Sequence, residues 1–194
     1  MFFSILFLAH LQAAVIPILL GIKSIHNFQH INKNKIIPLG FVFLGLASVS
    51  EMLDHTQTSW IYVDHSSFFN WLFYSFLSLG LTCLSISVIK NKFIKRINIC
   101  VSLFSIISYF LFDKTIALVF QAIVSIFLII NWQRKFKDWL FILYPIFGIF
   151  STTFFGTNLS ASGDQFWHIL IGPSGTISVL SFYLVLVRSG KKIT

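Results

Sequence analysis

Seven apolar stretches, each close to the length needed to cross a hydrocarbon core, dominate this chain and leave it few ways to fold. They run roughly Phe2–Ile22, Ile36–His55, Ser66–Ile89, Ile97–Phe112, Thr115–Trp132, Trp139–Phe155 and Gln165–Val187. The polar connections between them are too short to hide a soluble domain, and no stretch repeats another. The chain therefore reads as a single all-α integral membrane domain, a seven-transmembrane-helix bundle over residues 1–194. Composition agrees, since only 10% of residues are charged and mean hydropathy is +0.85, whereas a soluble domain is about a quarter charged. The first stretch lacks a basic leader and a clear small-residue cleavage site, so it is expected to stay as the first helix. Gly156 to Asp164 is rich in Gly, Ser and Asn and should be an irregular loop. Gly172-Pro173 should kink or loosen the seventh helix. Cys83 and Cys100 read as small buried hydrophobes, and Trp60, Tyr62, Trp132 and Trp139 as interfacial aromatics.

The charges test this drawing. With seven spans, one membrane face receives the connections after the first, third and fifth spans together with the C-terminus. That face carries every one of the 14 basic residues except Lys114. The acids do the reverse: Glu51, Asp54, Asp64, Asp113 and Asp164 lie at the opposite face, and Asp138 alone joins the bases. Basic loops stay in the cytoplasm, so the expected orientation is N-terminus out, C-terminus in. A net charge of +8 would suggest nucleic acid in a soluble chain. Here its placement is accounted for by membrane topology, and membrane lipids rather than nucleic acid are the expected partners. The plasma or inner membrane of a bacterium is the expected location.

Chemistry concentrates in two polar clusters at the acidic face. The first is Ser48 to Asn70, which holds Glu51, Asp54, His55, Asp64 and His65. The second is Gly163-Asp164-Gln165-Phe166-Trp167-His168, which opens the last span. Glu51 and His55 are four residues apart, as are Asp164 and His168, so each pair shares a helix face. Ionisable groups inside a membrane span are expensive and point to function. Imidazole and carboxylate donors suit Zn²⁺ and other first-row divalent metals. His55, Asp164 and His168 are the expected ligands, three protein donors that leave a position for water, as in catalytic zinc sites. Asp64 and Glu51 are the expected proton acceptor or orienting group. His10, near Gln12 in the first span, reads as a satisfied polar core residue, a headgroup contact or a substrate contact.

Seven helices, His55 near the end of the second, Asp64 before the third, and Trp167-His168 in the motif opening the seventh resemble the superfamily of alkaline ceramidases and progestin/adipoQ receptors. That resemblance implies a seven-helix membrane hydrolase with zinc on three histidines, acting on an amide. Its substrate here would be a lipid amide or ester entering from the bilayer. The chain departs from the pattern at two places: Asp164 stands where the family has His, and Glu51 where it has Ser. Two histidines and a carboxylate could still hold zinc.

A second class of function stays open. The same acids and histidines could form a cation or proton site in a non-enzymatic carrier or sensor. A haem held by His55 and His168 is a further alternative. A retinal Schiff base is disfavoured because residues 165–187 contain no lysine.

Overall fold

The computed structural model describes residues 2–27, 36–58, 68–112 and 114–191. Asp64, His65, Trp60, Tyr62 and Asp113 lie outside the described residues. The described chain is all helical: α1 (Phe2–Asn27), α2 (Ile36–Thr58), α3 (Phe68–Val88), α4 (Lys92–Leu111), α5 (Lys114–Phe136), α6 (Trp139–Ser162) and α7 (Gln165–Lys191). All seven are long and apolar enough to cross a bilayer. The protein is an integral, multi-pass membrane protein.

Consecutive helices pack side by side from α1 to α5 and from α6 to α7, and further contacts join α1 to α7 and α3 to α5. Lipid-facing surfaces are apolar, as they must be: Phe104, Phe110, Phe112 and Phe150 are among the large side chains turned outward. Cys100 is exposed on the outside of α4, contrary to the expectation that it is buried. Inside a bilayer, apolar area offers little drive for helices to associate, so small residues that let backbones approach become important. A Cβ added at Gly45 in α2 would lie 2.7 Å from the carbonyl oxygen of Ala14 in α1. One added at Gly172 in α7 would lie 2.6 Å from that of Ala9. These two contacts draw α1 against both α2 and α7.

The apolar core is concentrated at one end of the bundle, where α2 and α6 begin and α3, α5 and α7 end. Trp132, Phe141, Tyr144 and Phe182 pack ring to ring there, with centroid separations of 4.8–5.8 Å. Trp132 is fully buried and donates its indole N–H to the Leu84 carbonyl at 2.7 Å, so it is a core residue, not the interfacial aromatic expected from its place in the sequence. Trp139, by contrast, is exposed. At the same end Asp138 caps the first turn of α6 through Leu140 N–H and pairs with Arg188 of α7 at 3.2 Å. Asp138→Ala is expected to cost about 1–2 kcal/mol through the lost cap, read as a lower unfolding midpoint in detergent. Asp138→Asn, which keeps an accepting oxygen, should cost less.

One expectation about the last helices is corrected. Residues Gly156 to Ser162 continue α6 instead of forming an irregular loop. Asn158 and Ser162 satisfy the helix by donating back to the carbonyls of Phe154 and Asn158. Gly163 then ends it in the left-handed conformation, with φ of 66°. Near its start α6 is 3-10 over Trp139–Ile142 and π-helical over Tyr144–Ser151. The seventh helix runs continuously through Pro173, and the Thr176 hydroxyl bonds the Gly172 carbonyl beside it.

Candidate metal centre

Four donors from three helices meet near the end of the bundle opposite the aromatic core. His10 lies one turn inside the α1 span, Glu51 and His55 close the α2 span, and His168 lies in the first turn of α7. Their ligand-type atoms all fall within 4.8 Å of one another. His10, His55 and His168 are buried, while Glu51 keeps 22% of its side chain exposed. Glu51 thus forms the accessible side of an otherwise enclosed group.

Local structure explains the convergence. Glu51 and His55 sit one turn apart on α2, so their side chains leave the same face. Gly172 is one turn after His168, and Ala9 immediately precedes His10. The backbone contact between Gly172 and Ala9 therefore brings those two imidazoles together, with ring centroids 5.0 Å apart. Trp167 packs against Phe154 and Phe155 of α6, which fixes the first turn of α7 from its other side.

The hydrogen bonds decide which atoms face inward. His10 Nδ1 lies 2.9 Å from the Leu6 carbonyl, which can only accept, so Nδ1 carries the proton and donates. In the neutral ring Nε2 then presents a lone pair. That atom faces Glu51 Oε2 at 3.6 Å. His168 Nε2 faces Glu51 Oε1 at 3.4 Å and His55 Nε2 at 3.2 Å. Lone pairs gathered this closely in a low-dielectric setting need positive charge among them, supplied either by protons or by a metal ion.

The donor set fits a tetrahedral metal. An ion with donors about 2.0–2.1 Å away holds neighbouring donors roughly 3.3–3.4 Å apart. Three separations, 3.2, 3.4 and 3.6 Å, lie near that edge length, the last two to different oxygens of Glu51, and the whole group falls within 4.8 Å, so an ion would draw the donors somewhat closer. Three imidazoles and a carboxylate are the chemistry of zinc and neighbouring divalent ions. His10 Nδ1–H bound to a backbone carbonyl is the outer hydrogen bond that orients a metal-ligating histidine. Haem does not fit: His10 contacts both other rings, at 4.9 and 5.0 Å, leaving no slot for a macrocycle between His55 and His168.

The structure thus brings together His55, His168 and Glu51, expected from the sequence, and adds His10. It does not bring in Asp164. That residue is exposed, and its Oδ1 accepts the Phe166 N–H at 2.9 Å, so its carboxylate caps α7 instead of joining His168. Spacing of four residues put Asp164 and His168 on one face, but a residue just outside the helix turns its side chain back onto the first turn. His10 was detectable by depth: it lies five residues into its span from Ile5, as Glu51 lies four residues in from His55.

Comparison with known proteins adds one finding. The model of a family described as seven transmembrane receptor, 7TM_cyano, matches residues 1–192. No curated protein and no solved structure matches the chain.

Proposed function

The chain belongs to the seven transmembrane receptor family, and on that footing we propose that it is a metal-binding membrane receptor whose ligand is a divalent transition-metal ion, zinc suiting the donors best. The observation that carries this reading is the convergence of His10, Glu51, His55 and His168, whose donor atoms all lie within 4.8 Å of one another. Four protein donors make a closed site of the kind that binds and holds an ion. Bound there, the ion would supply the positive charge that the facing lone pairs lack. It would also tie α1, α2 and α7 at one end. With the acidic face outward, as the charge distribution supports, the site samples the outer medium through the partly exposed Glu51.

A second reading keeps the resemblance to the membrane hydrolases, and the exposure of Glu51 is what favours it. In that reading the three histidines hold zinc and Glu51 takes a proton. Zinc so held supplies Lewis-acid chemistry toward a lipid amide or ester. The site lies close to the helix ends, at the depth where a lipid's polar linkage meets its chains.

Metal analysis of protein purified without chelators tests both. About one zinc per chain is expected, with loss in His55→Ala and His168→Ala. Wild type devoid of metal, and unable to take up zinc on titration, would sink both readings. Chelator-sensitive release of fatty acid from lipid amides or esters would select the hydrolase. Zinc binding without turnover would select the receptor.

A further inference from the structure

A second buried polar feature lies away from the metal centre, between α3, α4 and α5. Ser75, Ser78, Thr82 and Ser85 recur at spacings of three and four residues and form one stripe on α3. The stripe faces α4: Ser78 and Ser102 hydroxyls are 3.0 Å apart, and the Asn98 amide donates to Ser85 Oγ at 2.9 Å. On the third side, Ser105 of α4 donates to the Ala117 carbonyl of α5 at 2.9 Å. Gln121 lies one turn beyond Ala117, which in this antiparallel pair sets it level with Ser102. The three helices thus enclose a polar seam.

Four atoms in this seam have no hydrogen-bond partner among the described residues: Ser75 Oγ, Thr82 Oγ1, Asn98 Oδ1 and Gln121 Nε2. All four side chains are at least nine-tenths buried. Orphaned polar groups in a membrane interior cost several kcal/mol each, and four along one seam would be an improbable burden for a marginally stable fold. Something satisfies them. The set includes an amide nitrogen that donates, a carbonyl oxygen that accepts, and hydroxyls that do both. Only a ligand that both accepts and donates serves all of them. A dehydrated cation serves the oxygens but not the Gln121 amide. It would also lack a counter-charge, because α3, α4 and α5 contain no Asp or Glu.

We propose that the α3–α4–α5 seam binds a file of internal water molecules, held by Ser75, Thr82, Asn98 and Gln121. From Ser75 to Ser85 the seam rises about 15 Å at ~1.5 Å per residue, half of a hydrocarbon core of roughly 30 Å. The file stands independently of the metal centre.

Water-edited solid-state NMR of the protein in bilayers tests this. The side-chain amides of Asn98 and Gln121 are expected to receive magnetisation from water promptly. The Trp132 indole N–H, buried and bonded to Leu84, serves as the dry control. Asn98 and Gln121 amides as slow as Trp132 would overturn the proposal. Thr82→Val gives an independent readout. If water is bound, removing its partner lowers Tm by about 2–4 °C. If the hydroxyl is a dry orphan, the same change raises Tm and overturns the proposal. Replacing sodium and potassium by choline should leave both readouts unchanged. A loss of stability on that replacement would identify a cation as the occupant and also overturn it.

Discussion

His10→Ala is expected to weaken zinc binding by more than about 100-fold, because loss of an outer hydrogen bond alone costs 10–100-fold and this change removes a donor itself. The measurement is competition titration against a chromophoric chelator. The effect should equal or exceed that of His55→Ala, and Gln12→Ala, a neighbour outside the cluster, should leave affinity unchanged. Unaltered affinity in His10→Ala would return the site to α2 and α7 alone. The prediction is sharp because α1 has no other described metal-ligating side chain near the cluster. His10 is already oriented through its bond to Leu6, so little freedom is lost when it ligates.

Gly172→Leu should produce the second large effect without touching any donor. A Cβ at that position would meet the Ala9 carbonyl oxygen at 2.6 Å and its carbon at 3.0 Å, both backbone atoms that have no rotamer to move into. Overpacking of this kind costs about 1–3 kcal/mol. The wedge also parts His10 from His168. Because metal donors must sit within ~0.5 Å of productive geometry, zinc affinity should fall along with the unfolding midpoint. Gly175→Leu is the control, since a Cβ there meets nothing within 4 Å. Equal behaviour of the two variants would show that the α1–α7 approach does not shape the site.

The sequence made the spans legible because membrane helices announce themselves by length and apolarity alone, with no need for tertiary information. The same logic exposed Glu51, His55 and His168, since ionisable side chains inside such spans are conspicuous. The same depth marks His10, but its role stays hidden in the sequence, because what gives His10 meaning is the approach of α7. That approach depends on Gly172, distant in sequence. Asp164 misled in the opposite sense. Its spacing from His168 was right for a shared face, but its carboxylate is spent on the Phe166 N–H. Trp132 was misplaced because a tryptophan near a span end commonly marks the interface. Here the aromatic ring cluster and the Leu84 carbonyl hold it inside. The helical continuation through Gly156 was hidden by residues that normally break helices, but whose amide and hydroxyl groups turned inward to the backbone.

The opposed placement of aromatic core and histidine cluster has a consequence for how the bundle opens. One end is held by interlocked rings and needs no ligand. The other end gathers groups that repel unless a charge is supplied. Local opening follows the weakest contacts, so the metal-free bundle should exchange its amide hydrogens first at the starts of α1 and α7 and the end of α2. The aromatic end should stay protected until global unfolding. On the metal-receptor reading, the aromatic end would then serve as a permanent hinge and the histidine end as a jaw that a bound ion would close.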